Sequence, residues 1–401
     1  MRIVPIALLV AACACIPTMA TQPVPVTPAD MQREIGQKMG RVQRFLKQQS
    51  LGGVLLTKVN NFSWVTAGIA DNHIVITSEV GAASLLIMND GQKYVIASNS
   101  EMPRLMAEDL KGLGYEPREF KWYADKVTPD RKLEFIRHIA AGRMIGTDVP
   151  YDDLRLIDAE FQPLRYELTD SEVKKYRWLG RESTEAVVAV CRRLKPGMSE
   201  RELEAMASDE LMRRGIRPTV LLMGTDERVY KYRHTVPTDK KLERYAMVNV
   251  CARKWGLVIS TCRFVHFGPV PDDLRKRVNA SAEMTARYLA ASSPGATAGD
   301  ILNKAAKWYT ELGFAGELEL HHQGGAIGYA EREWIAVPGS TEVVHDRQAL
   351  AWNPIIQGGL SFDTFVVYKD HVENVNETAD WPTITVKVHG QPVRLPDILV
   401  R

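Results

Sequence analysis

The 401 residues are short of the features that mark several large functional classes. Lys and Arg number 51 against 49 Asp and Glu, a formal charge of +2, and no basic cluster stands out. The electrostatic footprint of a nucleic-acid or membrane-surface binder is therefore missing. Only five cysteines occur, at positions 13, 15, 191, 251 and 262, too few and too unevenly placed for a disulfide framework. No Gly-rich phosphate loop is found in the first half of the chain, which excludes the common nucleotide fingerprints there. The apolar run Ile3 to Ala12 is too short to span a bilayer.

What remains is the composition of a globular chain, 45% hydrophobic and 25% charged, and a length that predicts two domains. The first 20 residues read as an export signal: Arg2, the apolar run, then Thr18-Met19-Ala20 as a small-residue cleavage site. A second reading of the same segment takes Val10-Ala11-Ala12-Cys13 as a lipobox with Cys13 lipidated. Both predict an exported, periplasmic protein, with the membrane reached only through that lipid anchor. Residues 21–29 form a Pro-rich spacer.

Between 30 and 165, a helix over Met31 to Gln49 precedes buried strands at Gly53 to Lys58, Ala83 to Met88 and Tyr94 to Ser98. Helices are expected at Met102 to Leu113 and Pro129 to Ala141, giving a small α/β domain. From Asp170 a long helix opens a second domain that runs to 401. It contains an internal echo: Pro196-Gly197-Met198-Ser199 opens a helix closing at Gly215, and Pro294-Gly295-Ala296-Thr297 opens one closing at Gly313. The equal spacing predicts two related halves, and Ser199 with Glu202 forms a capping-box signature.

Met247 to Gly268 reads as a β-hairpin around a charged turn, Arg253-Lys254-Trp255-Gly256. Alternation puts Asn249 and Cys251 on one face of the first strand, and Ser260 and Cys262 on one face of the second. With Asn249 set opposite Ser260, a small polar cluster forms, and Cys251 and Cys262 are too offset to bridge.

The pieces PGMSERELE, YRHTVP, CRFVHFG, HHQGGAIGY, AWNP and SFDTFVV, in this order, resemble the creatinase and aminopeptidase P family, which includes prolidase. The resemblance implies an α+β architecture: a C-terminal pita-bread domain over 170–401, preceded by a smaller creatinase-type N-terminal α/β domain over 30–165. It also implies a homodimer.

The family's peptidases hold two divalent metals with two Asp, one His and two Glu. Matched to the family pattern, those five positions fall on Asn249, Ser260, Gly325, Asn353 and Phe362. A pair of divalent cations needs carboxylates to offset its charge, so no metal and no other cofactor is expected.

His234 matches a His retained by the peptidases and by creatinase, the family's metal-free hydrolase, where it resembles a general base. Taken alone, one His is an ordinary structural residue; the position suggests catalysis. Arg332 and Glu333 match a second family His and its neighbouring Glu, and Arg263 matches the hairpin Arg. Arg332 and Arg263 are candidates for holding a substrate carboxylate, while an Arg–Glu surface pair is the bland alternative. Asn249, Ser260 and Asn353 are candidate neutral donors and acceptors, and His322 a hydrogen-bonding pocket residue. Metal binding by His321-His322 is not expected, because neighbours on a strand face opposite ways. No Gly-x-Ser-x-Gly elbow surrounds Ser260, which argues against a Ser nucleophile.

Three readings follow. The first is a metal-independent hydrolase of a small C–N compound or peptide-like substrate, with His234 as base. The second is a non-catalytic relative that binds peptides or small ligands, and the third a conventional Xaa-Pro aminopeptidase.

Overall fold

The computed structural model describes residues 25–401. The expected export signal, Cys13 and the first part of the spacer lie outside the described residues. Among the described residues, no helix is long and apolar enough to cross a membrane.

The first helix, Pro28–Gln48, starts three residues earlier than its periodicity suggests. Thr27 accepts from the Asp30 N–H, Asp30 accepts from the Thr27 N–H, and Pro28 occupies the first turn, so the capping box sets the start. Behind it lies a six-stranded mixed sheet with Gly53–Lys58 at its centre, antiparallel to Val80–Met88 and parallel to Ile145–Thr147. The apolar run Gly53 to Leu56, continued by a buried Thr57, fits a strand covered on both faces. The expected 102–113 helix shrinks to a turn, Met102–Arg104, followed by a π-helical turn, Leu105–Asp109.

The second domain is built of two sheets. The first runs Ile398–Val400, Leu257–His266, Tyr245–Lys254, Arg217–Thr225; the second runs Trp334–Ile335, Gly324–Ala326, Gln348–Trp352, Phe365–Val367, Val372–Asn374. Helices Asp170–Arg193 and Glu200–Arg213 share the apolar core of the first sheet. Helices Asp272–Ala291 and Ala298–Glu311 share that of the second. The two halves echo each other in detail. Gly197 N donates to Leu242 O and Gly295 N to Val344 O, both at 2.8 Å, and Ser199 and Thr297 cap the helices that follow. This is the curved pita-bread arrangement.

The hairpin register differs from expectation. Trp255 and Gly256 both have positive φ, 55° and 77°, and form a two-residue turn that pairs Lys254 with Leu257. Arg253 and Lys254 therefore belong to the strand. Counting back from the turn sets Cys251 opposite Ser260 and Asn249 opposite Cys262. The four-residue turn had shifted the pairing by two. Cys191, Cys251 and Cys262 are buried free thiols.

The sheets meet along the hairpin's second strand. Cys262 N donates to Phe362 O at 2.9 Å, and Ser260 N to Thr364 Oγ1 at 2.9 Å. The two domains are joined by a buried charge network. Lys38 Nζ lies 2.6 Å from Glu34 and 2.8 Å from Glu172, and Lys175 Nζ lies 2.7 Å from Glu34. Burial pushes the Glu172 carboxyl up, but Lys38, the Thr169 N–H and Lys175 outweigh it and hold it below the usual carboxylate range. The hairpin turn also touches the first domain: a Cβ on Gly68 would sit 2.2 Å from Trp255 O.

Candidate functional site

The hairpin face toward the second sheet presents Asn249, Cys251 and Ser260. Cys251 Sγ and Ser260 Oγ are 3.3 Å apart. Burial pushes the Cys251 thiol up, with Ser260 and Arg332 opposing it, so this sulfur stays protonated at neutral pH and is a poor nucleophile. Asn249 Oδ1 is sealed from solvent and bonded to nothing among the described residues.

Facing these residues is the strand Gly324–Ala326 and its neighbour ending at Trp352. Gly324 has φ 86°, and a Cβ there would lie 2.2 Å from Ala351 O, so the backbone conformation and close strand approach require glycine. A Cβ on Gly325 would meet the Trp334 ring at 2.6 Å. The space a side chain at 325 would need is thus filled by Trp334. Asn353 is buried, and its Oδ1 also lacks a partner among the described residues. Phe362 is buried, and the Arg332 guanidinium lies 5.7 Å from its ring centroid.

Arg332 holds the site's unbalanced charge. Its neighbours both pair elsewhere: Glu331 accepts from Arg253 at 3.1 Å, and Glu333 from Arg165 at 2.6 Å. Arg332 Nη1 is buried without a partner among the described residues. Burial pulls its guanidinium below the ordinary value, with Cys251 and Glu331 only partly opposing.

This donor set does not fit a dinuclear metal centre. An amide oxygen at 249, a hydroxyl at 260, no side chain at 325, an amide at 353 and a phenyl ring at 362 offer no anionic ligand. The nearby Arg332 adds positive charge. Two divalent ions would meet no compensating carboxylate there.

At the edge of this region stand three imidazoles. His234, exposed on the segment after the short helix Glu227–Lys231, has Nε2 3.1 Å from His321 Nε2. His321 Nδ1 lies 2.6 Å from His322 O. It must therefore donate there, leaving a lone pair on Nε2, and the His234 Nε2–H is the donor that satisfies it. His234 Nδ1 is then the nitrogen left with a lone pair. Burial lowers His321 to about 4 and His322 to about 3, with neighbouring imidazoles and Arg332 adding to it. The expectation that adjacent His rings face apart is corrected: the His321 and His322 centroids are 4.2 Å apart. These residues precede the strand, in irregular backbone where the period of two does not apply.

The remaining candidates have structural partners. Arg263 Nη1 donates to Asp363 at 2.7 Å and to Cys262 O at 2.7 Å, and Nη2 to Asn376 O at 3.3 Å. Glu333 takes both forks of Arg165 and also accepts from Tyr329 N at 2.9 Å. Both pairs are buried, and they tie sheet to sheet and domain to domain respectively. His322 Nδ1 accepts from Gly324 N at 3.2 Å. Sequence reasoning missed His321 as a partner of His234 and Arg165 as the partner of Glu333. Only the adjacency of His321 to His322 hinted at the first, and nothing local at the second.

The family model described as metallopeptidase family M24 matches residues 174–379, more than half of the chain. No curated protein matches. Among solved structures, the fold is similar to the prolidase of Pyrococcus horikoshii, with TM-score 0.70 and 18% identity, covering 86% of this chain and 99% of that one. An Xaa-Pro dipeptidase from Bacillus anthracis matches with TM-score 0.66 and 17% identity, over 92% of this chain and 100% of that one. The N-terminal domain of the FACT complex subunit SPT16 from chickpea matches with TM-score 0.63 and 11% identity, over 86% and 96%. The family model spans the hairpin and the second sheet that carry the site, and on that basis the chain belongs to metallopeptidase family M24, with a fold similar to that of the solved prolidase.

Proposed function

We propose that this protein is a hydrolase of small peptide-like or other C–N compounds that works without the family's dinuclear metal centre. What supports this reading is that the positions matched to the family's ligands carry neutral or absent side chains, beside an Arg332 guanidinium whose Nη1 has no partner among the described residues. An anion is the ligand that such a group recognises. Asn249 Oδ1 and Asn353 Oδ1 are acceptors with no donor among the described residues, suited to N–H groups of the same ligand. A compound carrying both a carboxylate and N–H donors complements all three.

His234 acts as general base in this reading. Its hydrogen bond to His321 leaves Nδ1 to take a proton from water. His321 orients the ring without a negative charge, so the resulting imidazolium receives less support than a carboxylate would provide.

The missing carboxylate favours a second reading, a non-catalytic protein that binds such ligands. We also propose, on residues 1–20, that the protein acts after export, and, on the family resemblance, that it does so as a homodimer.

The test is a screen of small amides, guanidino compounds and Xaa-Pro dipeptides in the presence of chelator. Turnover that survives chelation and disappears in His234→Ala supports hydrolysis. Binding that needs Arg332 but gives no turnover supports the second reading. Activity restored only by manganese, zinc or cobalt returns the protein to conventional metallopeptidase chemistry.

A further inference from the structure

We propose that His234, His321 and His322 form a binding site for one divalent transition-metal ion, distinct from the five positions of the family's dinuclear centre. One nitrogen from each ring lies within 4.8 Å of the other two. The His234 and His321 Nε2 atoms are 3.1 Å apart. Two imidazole nitrogens bound tetrahedrally at about 2.0–2.1 Å from one zinc are separated by roughly 3.3 Å. The pair is thus already close to the spacing of two ligands of one ion, which would sit beside the line that joins them, so that a small turn of each ring aims its lone pair at the ion.

The surroundings of His321 match those of a metal-bound imidazole. Its Nδ1–H donates to the His322 carbonyl at 2.6 Å, the contact that usually fixes the tautomer and orientation of a ligating His. His234 is exposed and His322 half-buried, so ring rotations can close the larger separation. The 3.2 Å bond from Gly324 N to His322 Nδ1 gives way as that ring turns to present a nitrogen. When the ion enters, the proton between His234 and His321 moves to His234 Nδ1, and both Nε2 lone pairs face the metal.

Charge sets the character of the site. All three ligands are neutral, so the ion keeps its full double charge. Arg233, next to His234, is paired with Glu317, while Arg332 stands nearby with its Nη1 unpartnered among the described residues. The site therefore suits ions that prefer imidazole, such as zinc, copper, nickel or cobalt, over magnesium or calcium, which require oxygen ligands. Its open fourth position takes water or an anion. An ion there also removes the proton-accepting role of His234, so under the hydrolytic reading it acts as an inhibitor.

The test uses the full chain without an affinity tag, stripped with chelator and titrated with Co2+ while the visible d–d absorption is followed. Saturation at one equivalent per chain is expected, with loss of the absorption in His321→Ala and in His234→Gln and its retention in Arg332→Met. Far-UV circular dichroism checks that each variant is folded, and the exposed His234→Gln supplies the answer should His321→Ala unfold. Absence of saturable absorption, or its persistence in both His variants, overturns the proposal. The readout is independent of turnover: Co2+ binding without hydrolysis leaves the metal site standing and removes the hydrolytic reading, while hydrolysis without Co2+ binding does the reverse.

Discussion

Replacing Arg332 by Met is expected to make the protein more stable. The guanidinium Nη1 is buried with no acceptor among the described residues, and a buried donor left unbonded costs about 1–3 kcal/mol. Against this stands the contact with Phe362, at 5.7 Å from the ring centroid. That is near the outer limit of about 6 Å for a cation–π attraction, so its contribution lies at the low end, about 0.5–1 kcal/mol. Met is shorter than Arg, but it has no polar N–H to leave unbonded, and its flexible thioether fills part of the space beside Phe362. The net expectation is a gain of roughly 1–2 kcal/mol. It is read as a rise in the urea midpoint at unchanged slope. A carboxylate ligand that pairs with Arg332 should raise the midpoint of the parent protein and leave Arg332→Met unmoved. A lower midpoint in Arg332→Met would refute the reasoning, because it would mean that the guanidinium is satisfied in the folded state and is not held ready for an anion.

Other consequences can be measured on the same protein. Glu333→Gln leaves Arg165 buried without its counter-ion and should destabilise by about 3–5 kcal/mol, seen as a fall in the denaturation midpoint. Gly325→Ala brings a methyl group within 2.6 Å of the Trp334 ring and 2.4 Å of Trp334 O, and should lose about 1–3 kcal/mol by overpacking. The Ser199 N–H and hydroxyl hold the Glu202 carboxyl at about 2, with Lys241 assisting. Because the folded value lies below the ordinary value of 4.5, its stabilisation is present above that value and is lost as pH falls toward 2. In Glu202→Gln, the acid side of the stability profile should flatten over that window.

Local chemistry made much of the fold legible. Ser199 was readable as a helix start because a cap needs only the few residues that follow it, whereas the apolar periodicity placed the first helix at Met31 and missed the Thr27 cap. The repeat of Pro-Gly at 196 and 294 signalled two halves that prove to share even a 2.8 Å glycine bond. That positions 249, 260, 353 and 362 carry no charge was equally plain, since charge is a property of residue type. The hairpin register was less secure. Arg253 and Lys254 look like turn residues by polarity, but the positive φ of Trp255 and Gly256 decides the pairing, and Trp is rarely found in that conformation.

The amino-acid sequence by itself determined that this chain has the family's scaffold, because periodicity, caps and residue type are carried along the chain. Tertiary structure alone decided who meets whom. Glu333 pairs with Arg165 from 168 residues away, Arg263 with Asp363 from 100 away, and His234 with His321 from 87 away. No local rule encodes those partners: each depends on how two sheets and two domains close on one another, and the same closure leaves Arg332 Nη1 without a partner among the described residues.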